Sequence, residues 1–163
     1  MKKILLFLAV MLVASVCYAQ TSMDGLIFGY KHKGNEMYYE IKGSNVWVTS
    51  QVKSATLSST VEIPSEVTHK GKRYRVYFLG NNAIVGPNKI EKLVIPGSVE
   101  RVRMHSIVNC PNLREVRFEP GVGSISGEVF ENCPKVKTIY VHSSTEITNE
   151  NWYKEHRVKI VRY

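Results

Sequence analysis

The sequence predicts a repeat solenoid that is mainly β, with a parallel sheet and short helical turns. Two observations predict this fold. Lys89 to Pro111 aligns without a gap on Asn112 to Pro134, which gives a period of 23 residues, and such a fixed period is typical of stacked repeats. Within a copy, apolar residues such as Leu93 and Ile95 alternate with others, as in a strand with one buried face. Because one unit cannot bury its own apolar face, we expect stacked units to share a core.

The composition fits one modest domain without catalytic machinery. The chain has 163 residues, 44% hydrophobic and 22% charged, which is long enough for one core and too apolar for disorder. Asp24 is the sole aspartate, so Asp-rich calcium loops and paired-Asp active sites are excluded. The five histidines are scattered and form no HExxH motif. We therefore predict a protein that is not an enzyme and that has no cofactor and no metal site.

Residues 1–19 resemble a secretory leader. Two lysines precede a short apolar core, Ile4 to Val16, and Ala19 supplies the small residue that a signal peptidase requires. We predict cleavage after Ala19 and export to the periplasm, the cell surface or the medium. Lipid anchoring at Cys17 is the less favoured alternative, because the residue before a lipoprotein cysteine is normally small and here it is Val16. The apolar run is too short to span a bilayer, so no transmembrane segment is predicted.

Residues 20–59 are predicted to form an N-terminal β cap. Tyr39 and Ile41 alternate with polar neighbours, as do Val46 and Val48 further on. The segment between them, Lys42 to Asn45, has the composition of a hairpin turn. Solenoid ends expose apolar columns and unpaired edges, so a hairpin placed here would cover the first coil.

Residues 60–148 are predicted to hold the repeats. In each full copy a Pro-Gly pair ends the strand, and Ile107 or Phe130 is expected to anchor a short helical turn. An earlier, divergent copy contains an inserted loop, His69 to Tyr74. The apolar positions that extend the same columns into this copy and the last one are Val61, Ile63, Leu79, Ile84, Val136, Ile139 and Val141.

Residues 149–163 are predicted to cap the other end. Glu150 to Lys154 reads as a short helix and Val158 to Arg162 as a last strand. We interpret Trp152 as a lid on the core and not as a ligand platform.

An Asn-Cys-Pro motif marks the same position in both full copies. We interpret Asn109 and Asn132 as a ladder whose amides satisfy backbone groups at the entry to each strand. Cys110 and Cys133 are interpreted mainly as small buried apolar residues. A disulfide between them stays open, since adjacent coils place them about one strand spacing apart.

Several segments of the sequence resemble the BspA-type bacterial leucine-rich repeat. They are KLVIPGSVERV, EVFENCPKVKTIYV and VEIPSEVTHKGKRYRVYFLGNNAI, and the resemblance covers Thr60 to His142. It departs at Gly86-Pro87, where the Asn-Cys pair is expected, and at Glu119-Pro120, which replaces Ile-Pro. The resemblance implies a solenoid of the leucine-rich-repeat type. It also implies adhesion to host or cell-surface macromolecules.

One face of the repeat strands is a candidate binding surface, named here the strand face. Equivalent outward positions fall side by side in successive copies and carry an aromatic, an aliphatic and charges of both signs, a mixture found in protein interfaces. The alternative is a solvated sheet face without a partner. The residues of the strand face are Lys92, Val94, Glu115, Arg117, Thr138 and Tyr140. The predicted partner is an extracellular protein or glycan.

A basic loop is the second candidate surface. The net charge is +8, and tyrosines are interleaved with the cations of this loop. Nucleic acid is not an expected partner of an exported protein, so a polyanion or an acidic glycan is the alternative ligand. The basic loop comprises Lys70, Lys72, Arg73 and Arg75, and a further basic pair follows at Arg101 and Arg103.

Overall fold

The computed structural model describes residues 23–49, 57–86 and 89–163. The leader predicted for residues 1–19, with its alternative at Cys17, lies outside the described residues. The described part of the chain is mainly β and winds as a solenoid of about four turns whose coils pass through three sheets. The predicted fold class is therefore confirmed.

An antiparallel meander opens the fold. It consists of β1 (Ile27–His32), β2 (Asn35–Lys42) and β3 (Asn45–Val48). Tyr39 pairs with Val48 across the β2–β3 hairpin, and both side chains are buried. The hairpin turn has Gly43 at φ 62, a left-handed conformation that glycine adopts without a steric penalty.

Sheet 1 contains the repeat strands in parallel. Its strands, in spatial order, are β4 (Thr60–Glu62), β8 (Lys92–Ile95), β11 (Glu115–Phe118), β14 (Thr138–Val141) and β16 (Lys159–Arg162). The period of 23 residues is visible as register, since Leu93 pairs with Val116 and Val116 pairs with Ile139. All three side chains are fully buried, so each predicted column is a continuous row of the core.

Sheet 2 joins the meander to the coils. Strands β6 (Lys72–Leu79), β9 (Arg101–Val102), β12 (Ser124–Ile125) and β15 (Glu146–Ile147) follow β3 in parallel. The insertion predicted as a loop from His69 to Tyr74 is instead the end of a β-hairpin, because β5 (Glu66–His69) pairs antiparallel with β6 and only residues 70–71 form the turn.

Sheet 3 corrects one detail of the prediction. The segments at Ile107 and Phe130 are not helical turns but short parallel strands, because their backbone groups bond between coils. The Ile84 N–H donates to the Ser106 carbonyl at 2.9 Å, and the Asn109 N–H donates to the Glu131 carbonyl at 2.9 Å. The strands of sheet 3 are β7 (Ile84–Val85), β10 (Ile107–Val108) and β13 (Phe130–Glu131).

A helix and a strand end the described chain. Helix α1 (Glu150–Glu155) buries Tyr153, whose hydroxyl donates to the Ser126 carbonyl at 2.8 Å. Trp152 is partly buried against the core, with its ring centroid 6.5 Å from that of Phe130, which fits a lid. Strand β16 covers the edge of β14. None of the helices in the described segments has the length and apolar character needed to cross a bilayer.

Candidate binding surfaces

The strand face exists as one surface on the outside of sheet 1. Lys92, Glu115 and Thr138 form one row across the strands. A second row contains Val94, Arg117 and Tyr140. All six side chains are partly exposed, whereas the residues that alternate with them are buried. The structure thus brings together every residue predicted for the strand face.

Arg117 lies between two tyrosine rings. Its guanidinium carbon is 5.2 Å from the ring centroid of Tyr140 and 5.0 Å from that of Tyr163. The Tyr163 hydroxyl donates to the Phe118 carbonyl at 3.0 Å, which fixes the second ring. No carboxylate in the described ranges forms an ion pair with Arg117. Stacking therefore orients this cation and leaves its charge unneutralised.

In the row of Lys92, Glu115 and Thr138, the two charges of the strand face neutralise each other. The Lys92 ammonium lies 2.8 Å from a Glu115 carboxylate oxygen, and both side chains are partly exposed. An exposed ion pair of this kind contributes at most about 1 kcal/mol to stability. The available charge of the strand face is therefore concentrated at Arg117.

Sequence reasoning missed Tyr163, the second ring against Arg117. This residue lies just past the last strand, 23 residues after Tyr140, and this spacing is the signal that could have found it, although Tyr140 pairs with Val161 because the last coil is shorter than the period. Its 42% exposure places it beside the strand face as a further candidate binding residue.

The basic loop is less compact than the strand face. Strand alternation places Lys72 on the side of the buried Tyr74, with its ammonium 5.0 Å from that ring centroid, whereas Arg73 and Arg75 face the opposite side. Arg73 lies 3.9 Å from Glu66. The two remaining cations differ in their partners: the Arg75 Nε–H donates to the Ser98 carbonyl at 3.1 Å, and Lys70 is exposed in the hairpin turn.

The asparagine ladder is present, with a different bonding pattern from the predicted one. The Asn132 amide donates to the Asn109 amide oxygen at 3.0 Å, so among the described residues the ladder joins side chain to side chain and not side chain to backbone. Both residues have left-handed backbones, with φ 52 and 55. Gly86 has φ 71 at the equivalent place in the preceding coil, which explains why glycine can replace asparagine there.

The two cysteines are free thiols in contact with each other. Cys110 is buried and Cys133 half-buried. The hydrogen bond with the Cys133 thiol, together with burial, raises the pKa of Cys110. The same hydrogen bond from Cys110 lowers the pKa of Cys133. Cys110 thus fits the predicted small apolar residue, and the structure has no disulfide at this pair.

A further surface on sheet 2 was not predicted. Trp47 and Phe78 stack on its outer side with centroids 4.7 Å apart, and the Arg103 guanidinium carbon is 5.1 Å from the Phe78 centroid. A groove of about 460 Å³ lies beside them and includes Arg101 in its lining. The sequence indicated the basic pair Arg101 and Arg103. The outward position of Phe78 beside Trp47 depends on a β-bulge in β6, which the repeat spacing does not reveal.

Comparisons with known proteins identify the same repeat and the same fold. Residues 77–161 match the BspA type leucine rich repeat region (6 copies). A leucine-rich repeat protein from Bacteroides capillosus has a similar structure, with a TM-score of 0.65 at 19% identity over 83% of this chain and 98% of that one. The pneumococcal vaccine antigen PcpA gives a TM-score of 0.61 at 13% identity, over 87% of this chain and 39% of PcpA. No curated protein matches the sequence significantly. Since the matched repeat region spans more than half of the sequence, the chain belongs to the BspA-type leucine-rich repeat family.

Proposed function

We propose that this protein is a non-enzymatic, secreted or surface-associated module that binds another macromolecule through its strand face. The observation that carries the proposal is Arg117, held between Tyr140 and Tyr163 without an ion-pair partner among the described residues. Membership of a leucine-rich repeat family is consistent with a protein-binding module. The leader-like residues 1–19 support export.

The chemistry of the strand face indicates the kind of partner. Tyrosine and arginine are the residue types that most often dominate the binding energy of protein interfaces. An oriented guanidinium with free N–H groups suits a carboxylate, which it can bind through two parallel hydrogen bonds. The partner that suits this chemistry is a protein that presents an acidic side chain beside apolar surface, and the resemblance to BspA-type repeats favours a protein of the host matrix or of another cell surface. Adhesion is the activity that follows from such binding.

A binding screen against immobilised matrix proteins tests this proposal. The Arg117→Ala/Tyr140→Ala variant should weaken binding by about tenfold or more, because each lost contact removes oriented charge or ring area at the centre of the surface. Arg114→Ala, a change at an exposed arginine off the strand face, is the control and should bind like the wild type. Full binding by the double variant would refute the strand face as the site.

Export has a separate test. The mass of the protein recovered from the medium or the cell envelope should correspond to a chain that begins at Gln20. A product that carries acyl chains on Cys17 would instead support lipid anchoring at the cell surface.

The basic loop supports a second candidate function, the capture of a polyanion or glycan. The exposed Lys70 and the adjacent Lys72 and Arg73 at the hairpin turn favour it. Binding of this type should fall steeply with salt and should be lost in Lys72→Ala/Arg73→Ala, because exposed charges are screened. Binding that persists at about 1 M salt would argue against it.

A further inference from the structure

The outer side of sheet 2 carries an aromatic platform that the repeat pattern does not require. A bulge in β6 shifts the pairing, so that Val46 pairs with Val76 but Trp47 pairs with Phe78. Strict alternation from the buried Val76 would turn Phe78 toward the core and Leu79 outward, and the bulge at Tyr77 reverses both orientations. Bulges often re-aim a side chain next to a functional site. Here the bulge brings Phe78 under Trp47, which remains partly exposed.

Two arginines continue this platform across the next strand. Arg101 pairs with Phe78 in the register of sheet 2, and Arg103 stacks on the Phe78 ring. Both side chains are exposed, and neither forms an ion pair with any carboxylate in the described segments. Stacking covers one face of the Arg103 guanidinium and leaves its N–H edge available for an oxyanion. Trp47 and Arg101 are two strands apart, which is roughly 10 Å.

Hydroxyl groups line the groove beside the arginines. Ser124, Ser126 and Thr148 contribute to the groove of about 460 Å³. Glu146 lies in the same groove, and Ser124 separates it from Arg101 in the strand register. An acidic ligand would therefore place its negative groups at the arginines and its neutral hydroxyls toward the serines.

We propose that Trp47, Arg101, Arg103 and this groove form a binding site for an acidic oligosaccharide that carries sulfate or carboxylate groups. Trp47 is partly exposed, with Phe78 stacked on its ring and the Lys42 ammonium 5.5 Å from its centroid, so a sugar ring would pack on the remaining exposed part of the indole while Lys42 and the arginines match its anionic groups. Peptide addition to β9 does not fit, because β9 is already paired with β6 and β12, and the edge strand of sheet 2, β15, is only two residues long. The site shares no residue with the strand face or the basic loop, so it can exist whether or not either of them binds.

Titration with a heparin hexasaccharide at low salt tests the site. We expect saturable binding that Arg101→Ala/Arg103→Ala weakens by about tenfold or more, and that Arg101→Lys/Arg103→Lys restores in part. Arg114→Ala/Lys154→Ala removes the same charge at exposed positions outside the groove and should change the affinity by less than about twofold. Glu146→Gln should tighten binding, since it removes a negative charge from the groove.

The aromatic contribution separates a saccharide site from a simple basic patch. Trp47→Ala should weaken hexasaccharide binding but leave the binding of a polyglutamate peptide unchanged. The proposal fails if Arg101→Ala/Arg103→Ala binds the hexasaccharide like the wild type. It also fails if polyglutamate binds as tightly as the hexasaccharide with no effect of Trp47→Ala. Arg117→Ala/Tyr140→Ala should retain hexasaccharide binding, so the outcomes for sheet 2 and for the strand face stay distinguishable.

Discussion

Two buried tyrosines have similar surroundings and different hydroxyl partners. Tyr153 donates its hydroxyl hydrogen to the Ser126 carbonyl at 2.8 Å, whereas the Tyr39 hydroxyl is buried without a hydrogen-bond partner among the described residues. Burial raises the pKa of both phenols, and electrostatic repulsion from Tyr30 adds to the increase at Tyr39. The two residues therefore separate the effect of burial from the effect of hydrogen bonding.

Replacing each tyrosine by phenylalanine should change stability differently at neutral pH. Tyr153→Phe should lower the free energy of unfolding by about 1 kcal/mol, because one hydrogen bond is lost and the Ser126 carbonyl loses its donor. Tyr39→Phe should leave the free energy of unfolding unchanged or raise it, because it removes a hydroxyl that is buried without a partner. Urea denaturation at pH 7 measures both. An equal loss in the two variants would contradict the interpretation.

The same phenols predict alkaline instability. Their pKa values in the folded protein lie above the unfolded value of about 10, so above that pH the unfolded chain releases protons that the folded chain retains. The free energy of unfolding should therefore be unaffected by these groups below about pH 9 and should fall as the pH rises through 10. Both phenylalanine variants should show a smaller fall than the wild type. Urea denaturation between pH 8 and about pH 11 measures the difference.

At the scale of elements, adjacent turns touch through their backbones. A Cβ atom at Gly97 would lie 1.9 Å from the Pro120 carbonyl oxygen, and one at Gly121 would lie 2.7 Å from the Gly97 carbonyl oxygen. These turns connect sheet 1 to sheet 2 in successive coils. The Pro-Gly pair of the repeat therefore does more than end a strand, since its glycine allows two coils to approach.

Gly97→Ala should consequently weaken the stack of coils. The methyl group cannot be accommodated without a backbone shift, and overpacking of this kind costs about 1–3 kcal/mol. Gly80→Ala is the matched control, because the nearest atom to its added Cβ is 4.0 Å away and its φ is not positive. Thermal unfolding should show a lower midpoint for Gly97→Ala and a nearly unchanged one for Gly80→Ala. Equal midpoints would show that the turns separate at little cost.

The elements also show what the sequence can and cannot predict. The columns of sheet 1 could be read from spacing, because four-residue strands with one buried face leave a clear alternation. The two-residue strands of sheet 3 could not, because so short a segment has no period and only hydrogen bonds between coils define it. The strand face could be predicted as well, because its residues alternate with the buried residues of the same strands. The bulge at Tyr77 could not, since it breaks the strand alternation, and Tyr163 was not predicted although it follows Tyr140 by 23 residues, because the apolar pattern of the repeat is lost in the last coil.

At the scale of the whole molecule, one apolar core connects both ends. The same cluster of buried residues includes Phe28 of the N-terminal meander and Val158 just before the last strand. In repeat proteins each coil contacts only its neighbours, so cooperativity depends on the strength of the interfaces between coils. Here the meander continues directly into sheet 2 through the β3–β6 pairing, and β16 continues sheet 1. Few coils and continuous sheets favour unfolding of the whole stack in one step.

The two tryptophans provide a direct test of this cooperativity, since Trp47 lies in the N-terminal meander and Trp152 in α1. Trp152→Phe leaves Trp47 as the only fluorescent tryptophan, and Trp47→Phe leaves Trp152 and retains an aromatic ring against Phe78. Within each variant, fluorescence and far-UV circular dichroism should give the same urea midpoint, because an all-or-none transition has no partly folded population. An earlier fluorescence transition at Trp152 would instead show that α1 detaches from the coils before the rest unfolds.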